Sequence, residues 1–200
     1  LFRSEEEFAR SYAYYDPDEA NRLLDELGLD KRDSAGFRLR PDGKRMSIVI
    51  EYCEADTPKT PTLELVKAHW DAVGVHTTLK LISNTLESER AMANQIQVGI
   101  HHADRSTDPL FFTEPYWYAP IQYGWEQNTW PLWAQWYTTG GTAGEEPPEH
   151  VRYLIDIYER MQTTTDEDER IELGKELLRQ QAENLWTLGT VGSATFVIIV

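Results

Sequence analysis

The residues best suited to bind another molecule are the tryptophans of residues 117–136. This segment, WYAPIQYGWEQNTWPLWAQW, holds five of the seven tryptophans in a chain of 200 residues. An indole ring buries a large apolar area and keeps an N–H group for a polar partner. Such rings either fill a protein core or stack on the apolar faces of sugars and peptide side chains. The segment therefore predicts a core element, a binding surface, or both.

The spacing of these tryptophans divides them into two groups. Trp130, Trp133 and Trp136 have the i, i+3, i+6 spacing of one face of a short helix, and we expect one face of that helix to pack inward. Trp117 and Trp125 lie outside this register, among prolines and glycines, and are the stronger ligand candidates. We expect two or three of the five to be structural and the others to face a ligand. The candidates are Trp117, Trp125, Trp130 and Trp133.

A second group of candidates is polar and follows a predicted strand. His101 and His102 with Asp104 and Asp108 suggest a metal site. However, adjacent residues on a strand point to opposite faces, so we predict no metal site. His101, His102 and Asp104 instead predict ligand contacts at the end of a strand, where α/β sheets bind their ligands. A glycosidase pair drawn from Asp104, Asp108 and Glu114 remains an alternative, although chance clustering is common among 34 acidic residues.

Composition excludes several classes of partner. The net charge is −15 and the pI is about 4.7, which argues against nucleic acid and anionic membrane surfaces as partners. The chain has no G-x-G-x-x-G, P-loop or C-x-x-C motif, so we predict no cofactor. Cys53 is the single cysteine and lies in an apolar run typical of a buried thiol. The apolar run at 196–200 is typical of a strand cut at its end, and we expect the chain to be a fragment of a longer protein.

The elements that must position these residues begin with a helix. Asp16 and Glu19 predict a capping box at its start, Pro17 suits its first turn, and Gly28 can end it. A turn at 41–43 then precedes an apolar strand over 47–53.

The next segment predicts a βαβ unit. A helix capped by Thr60, with Pro61 in its first turn, precedes the strand VHTTLKLIS. We therefore expect two parallel strands joined by a right-handed crossover. A short helix, NTLESERAMANQ, and a third strand, IQVGIHH, follow.

The regular patterns fade over residues 101–146 and return after them. Apart from the short helix around Trp133, we predict an aromatic-rich loop segment there. A capping box of Asp166 and Glu169 opens the second of two final helices. Their predicted apolar faces are Val151, Leu154, Ile155, Tyr158 and Met161, then Ile171, Leu177, Leu178 and Leu185. The whole chain is predicted to be one α/β lobe, residues 1–200, with a mixed or parallel sheet flanked by helices.

The order of these elements resembles the C-terminal lobe of the extracytoplasmic solute-binding proteins of family 5, the oligopeptide-, dipeptide- and nickel-binding group of ABC importers. The resemblance covers nearly the whole chain and depends on an ordered set of stretches rather than one motif. They are YDPDEANRLLDELGL, GFRLRPDGKRMSIVIEY, LELVKAHWDAVGVHTTLKLI, ADRSTDP, TGGTAGEEPPEHVRYLIDIYE and DEDERIELGKELLRQQAENLWTLGTVG.

This resemblance implies a periplasmic-binding-protein-like class II fold whose two lobes close on a solute by hinge motion. It also implies no catalysis, delivery of the solute to a membrane permease, and a location that is periplasmic or on the outer face of the cytoplasmic membrane, as a tethered lipoprotein in some members. Asp104 matches an acidic residue that holds the amino terminus of the ligand in peptide binders. The family's strand-ending tryptophan falls on His101 or His102, and this departure favours an oligosaccharide over an oligopeptide. The alternative is a carbohydrate-active enzyme or a stand-alone carbohydrate-binding module.

Overall fold

The computed structural model describes residues 14–54, 58–100, 108–124 and 129–188. Within them the chain forms helices and two strands in an α/β arrangement, as the sequence predicts. In chain order the elements are α1 (Pro17–Glu26), β1 (Ser47–Tyr52), α2 (Thr60–Ala72), β2 (His76–Leu81), α3 (Asn84–Met92), α4 (Asp108–Thr113), α5 (Pro131–Thr138), α6 (Glu149–Thr163) and α7 (Glu167–Asn184).

The predicted βαβ unit is confirmed. β1 and β2 are parallel, with a register that runs from Ser47 opposite His76 to Tyr52 opposite Leu81, and α2 connects them. β1 becomes more buried toward its carboxyl end. Its buried side chains pack with α2 in one core cluster, which contains Ile50, Tyr52 and Leu63 with Ile48, Val66, Trp70, Leu79, Val98 and Ile100 around them.

The predicted third strand is reduced to a single bridge in the described residues. Ile50 pairs with Val98 in parallel, and the Glu51 amide donates to the Val98 carbonyl at 3.3 Å. Next to this bridge, the Val49 amide donates to the side-chain Oε1 of Gln97 at 2.8 Å. The Gln97 side-chain oxygen thus accepts from a backbone donor of β1, and residues 96–100 form no longer backbone ladder with it.

The start of α2 corrects a predicted cap. Thr60 lies inside the helix, and no side chain of the N-cap residue caps it. The Glu54 carboxylate, at the end of β1, accepts from the Lys59 and Thr60 amides at 2.8 Å each. A carboxylate satisfies the first free amides of a helix and also interacts favourably with the positive end of its dipole, so it replaces the hydroxyl cap.

α1 is attached to the βαβ unit by a buried arginine. Arg38 is 1% exposed, and its guanidinium donates to the Val73 carbonyl at 2.7 Å, the Leu29 carbonyl at 2.6 Å and the Asn21 side chain at 2.6 Å. It also forms an ion pair with Asp25. The partners of Arg38 belong to α1, the following turn and the end of α2. Arg32 also donates to the Asn21 side chain and the Val73 carbonyl, so the two arginines together link α1 to the βαβ unit.

The second core cluster lies between α6, α7 and the aromatic segment. Its buried members are Phe111, Ala119, Trp130, Leu154, Ile157, Met161, Leu173 and Leu177. Tyr158, predicted for the buried face of α6, is half-buried, and Ile157 is buried instead. On α7, Leu177 is fully buried, whereas Ile171 and Leu178 are half-buried and Leu185 lies at the C-cap in a left-handed conformation.

No helix within the described ranges is long and apolar enough to cross a membrane.

Candidate functional site

The structure describes some of the predicted ligand residues. Trp117, Trp130 and Trp133 lie in described segments; Trp130 belongs to the second core cluster and Trp133 packs against it. The others lie outside the described residues, and they are His101, His102, Asp104 and Trp125.

The aromatic segment is more regular than the sequence predicts. The short helix around Trp133 is confirmed as α5, but α4 was not predicted. With only six residues, α4 is too short to show a helical period, and its Asp-Pro start is typical of a turn. Its Phe111 is buried in the second core cluster.

Trp117 lies in a tight turn after α4. The Tyr118 and Ala119 amides both donate to the Pro115 carbonyl, at 2.9 and 3.1 Å. The Trp117 side chain is 7% exposed, and its ring centroid is 5.0 Å from that of Tyr116. Therefore, Trp117 offers little surface to a ligand in this lobe, although its position outside a helical register made it a stronger candidate than Trp130.

Trp130 is a buried support for the segment. It is 4% exposed, directly precedes α5, and its indole Nε1–H donates to the Tyr116 carbonyl at 3.4 Å. Its ring centroid is 5.3 Å from that of Trp186 and 6.3 Å from that of Trp133. The Trp130 indole thus contacts the turn that contains Tyr116, the Trp186 ring just after α7, and the Trp133 ring on α5.

Trp133 is the described candidate with the most accessible indole. It is half-buried and packs against the outside of the second core cluster, where Trp130 supports it. Trp136, one turn further along α5, is also half-buried. The buried residues of α5 are Pro131 and Ala134, whereas both indoles remain partly exposed. We call the exposed faces of Trp133 and Trp136 the aromatic surface.

Two tyrosines, Tyr137 on α5 and Tyr158 on α6, have raised pKa values. Burial, together with the nearby carboxylate of Glu159, which accepts a hydrogen bond from the phenol, raises the pKa of Tyr137 to about 12. Burial also raises the pKa of Tyr158, with smaller contributions from the carboxylates of Glu114 and Glu159. Both phenols therefore stay neutral at physiological pH and act there as hydrogen-bond donors or acceptors.

The carboxyl end of the sheet carries a compensated charge cluster. The Glu51 side chain is 4% exposed and accepts from Lys80 at 2.6 Å and from Arg90 at 2.7 Å. The hydrogen bond from Lys80 is the main reason that the pKa of Glu51 is lowered, and the Arg90 guanidinium adds to the effect. This cluster joins both strands to α3.

Among the described residues, no group of three or more histidine, cysteine, aspartate or glutamate side chains could hold a metal ion. Cys53 is buried, as predicted, and the Asn84 amide lies 3.7 Å from its sulfur.

Comparisons with known proteins identify the group to which this architecture is similar. A family model described as bacterial extracellular solute-binding proteins, family 5 middle, matches residues 2–124. No curated protein matches the chain significantly.

Among solved structures, the oligopeptide-binding protein OppA superposes with a TM-score of 0.76 at 32% identity, over 90% of this chain and 30% of its own. The periplasmic binding protein MelB from Agrobacterium fabrum, in complex with stachyose, gives 0.71 at 16% identity, over 88% of this chain and 25% of its own. A mannohexaose-bound periplasmic oligopeptide-binding protein from Thermotoga maritima gives 0.61 at 18% identity, over 90% of this chain and 32% of its own. The chain thus spans less than a third of each of these structures.

Proposed function

The chain belongs to the bacterial extracellular solute-binding proteins of family 5, and from this membership we propose that it is one lobe of an ABC-importer binding protein that captures an oligosaccharide or an oligopeptide. This family and the solved structures described above are binding proteins rather than enzymes. Binding without catalysis is therefore part of the proposal.

The observation that carries the proposal is the aromatic surface on a rigid base. Trp133 leaves part of its indole exposed while Trp130 and the second core cluster hold it from below. A preordered ring loses little conformational freedom on binding, so its stacking energy contributes to affinity. Trp117 and Trp130, which are buried, would support this surface, while Trp133, Trp125, His101, His102 and Asp104 would contact the solute.

The solved structures and the net charge both bear on which solutes the protein would bind. OppA is named as an oligopeptide-binding protein, while the other two structures were determined with the oligosaccharides stachyose and mannohexaose. Stacking suits both classes, since sugar rings and peptide side chains both have apolar faces. The net charge of −15 disfavours anionic solutes of either class.

The remaining parts of the proposal concern the longer protein. This chain, residues 1–200, would be a C-terminal portion of a two-lobed protein, and an N-terminal lobe would cover the solute by hinge closure. Such a protein would work outside the cytoplasmic membrane, in the periplasm or tethered to the outer face, and would deliver its solute to a membrane permease.

The proposal is tested on the full-length protein purified without denaturation. Native mass spectrometry would identify any solute that remains bound, and calorimetry would measure a panel of neutral oligosaccharides and oligopeptides. We expect saturable binding of at least one class without a change in the mass of the solute. Cleavage of a glycan would instead favour a carbohydrate-active enzyme, and the absence of binding across both classes would refute the proposal.

A further inference from the structure

Two side-chain donors bond to carbonyl groups in the segment that runs from the end of α4 into the turn that carries Trp117. The Gln162 side-chain Nε2–H donates to the Phe112 carbonyl at 2.6 Å, from α6 to a residue 50 positions earlier in the chain. Four residues further on, the Trp130 indole donates to the Tyr116 carbonyl at 3.4 Å. The two donors come from different elements and hold the backbone over 112–116.

We propose that Gln162 is a positioning residue for the aromatic surface: through the Phe112 carbonyl it fixes the turn against which Trp130, and therefore Trp133, is set. The inference deepens the proposed function and rests on it for the effect on solute binding.

The α6 side of this contact lies next to the second core cluster. On α6 the residues Leu154, Ile157 and Met161 are buried in the second core cluster, and Gln162 is the next residue after Met161. The Gln162 side chain itself is exposed, so it contributes to the contact by its hydrogen bond rather than by apolar burial. The hydrogen bond is short and crosses between elements, which is the geometry expected of a tether.

Removing the Gln162 donor should affect the aromatic surface through the turn and the Trp130 ring. Without Gln162 Nε2, the end of α4 loses its side-chain hydrogen bond from α6, while the turn keeps its buried contacts and the longer bond from Trp130 to the Tyr116 carbonyl. Motion of the turn then passes to the Trp130 ring, whose centroid lies 6.3 Å from that of Trp133. The aromatic surface loses preorganisation, and a solute stacked on it dissociates faster.

The test compares Gln162→Met with Gln180→Met in the full-length protein. Methionine matches glutamine in length and lacks the N–H donor. Gln180 is a matched control because its side chain donates to Glu176 at 2.9 Å within α7, away from the turn. Gln162→Lys retains an N–H donor and serves as the rescue variant.

One readout needs no solute. Acrylamide quenching of tryptophan emission and near-ultraviolet circular dichroism report the packing of the indoles. We expect both to change in Gln162→Met, to be restored in Gln162→Lys, and to match wild type in Gln180→Met. The second readout is the dissociation rate of an oligosaccharide or oligopeptide that the wild-type protein binds, for which we expect an increase of about two- to tenfold in Gln162→Met alone, the range of one net hydrogen bond.

The outcomes separate this inference from the proposed function. Identical quenching and dissociation in the two methionine variants would overturn the inference. A lower urea midpoint for Gln162→Met with an unchanged dissociation rate would also overturn it, because the residue would then be purely structural. If the wild-type protein binds neither solute class, the proposed function fails, while altered indole packing in Gln162→Met would still support the positioning role.

Discussion

Replacing Trp130 by alanine should destabilise the lobe by about 1–2 kcal/mol more than replacing Trp133. Trp130 is 4% exposed, so the variant loses nearly the whole apolar area of an indole, about 150–250 Å². At about 25 cal/mol per Å², and with tryptophan-to-alanine changes in cores generally near 3–5 kcal/mol, we expect a loss of about 4–5 kcal/mol for Trp130→Ala. This value includes the lost donor to the Tyr116 carbonyl. Trp133 is less deeply buried than Trp130 but still loses most of its apolar contact area, and we expect about 3 kcal/mol for Trp133→Ala.

The measurement is equilibrium unfolding in urea, followed by far-ultraviolet circular dichroism so that the lost indole does not alter the signal. The full-length protein is the appropriate sample, provided that its transition is resolved into lobes by a second probe. Equal losses for the two variants, or a larger loss for Trp133→Ala, would refute the assignment of Trp130 as the support and Trp133 as the accessible ring.

Three further predictions concern charge and backbone. Glu51→Gln should cost about 1.5–3 kcal/mol, the range for hydrogen bonds to charged groups, because it removes the carboxylate from two cationic partners. Since the folded-state pKa of Glu51 is lowered, its contribution is complete above its usual pKa of about 4.5 and should be lost as the pH falls below that value, which acid titration of wild type and variant measures. Gly74→Ala should cost about 1–3 kcal/mol in thermal unfolding, because Gly74 has φ 93° and a methyl group there would collide with the buried side chain of Arg38 and the exposed side chain of Arg32. Tyr137 should ionise near pH 12 in a spectrophotometric titration. The free energy of unfolding should fall as the pH rises from about 10 to 12, because the phenol ionises first in the unfolded chain. Glu159→Gln should lower the Tyr137 pKa.

A specific result would contradict each of these three predictions. An acid transition that is the same in Glu51→Gln and wild type would show that the charge cluster contributes nothing measurable. A Gly74→Ala protein as stable as wild type would show that the arginine side chains yield to the methyl group. A Tyr137 that ionises near its usual pKa of about 10 would contradict its burial beside Glu159.

The local features of the fold were predictable because their determinants lie within a few residues. Asp16 accepts from the Glu19 amide at 2.9 Å, as the capping pattern predicts. However, the Glu19 side chain pairs with Arg22 instead of completing the box. Similarly, Asp166 accepts from the Glu169 amide at 3.2 Å. Hydrophobic spacing also predicted α5 and the parallel strands correctly.

The features that the sequence could not supply depend on groups far apart in the chain. Glu54 replaces Thr60 as the cap of α2 because β1 ends beside that helix, which no local pattern reveals. Likewise, the contact of Gln162 with Phe112 joins residues 50 positions apart. The tryptophan spacing predicted a helical face, but the burial of Trp117 follows from its turn against the core rather than from its register.

The central claim is that the aromatic surface of this lobe contacts the solute. It is tested most directly by calorimetric titration of the full-length Trp133→Ala protein with a solute that the wild type binds. Trp70→Ala is the matched control, because Trp70 is also a half-buried indole but packs against the other core cluster. We expect Trp133→Ala to raise the Kd by about tenfold, roughly 1.4 kcal/mol, while Trp70→Ala stays close to wild type. Equal affinities in both variants and the wild type would contradict it.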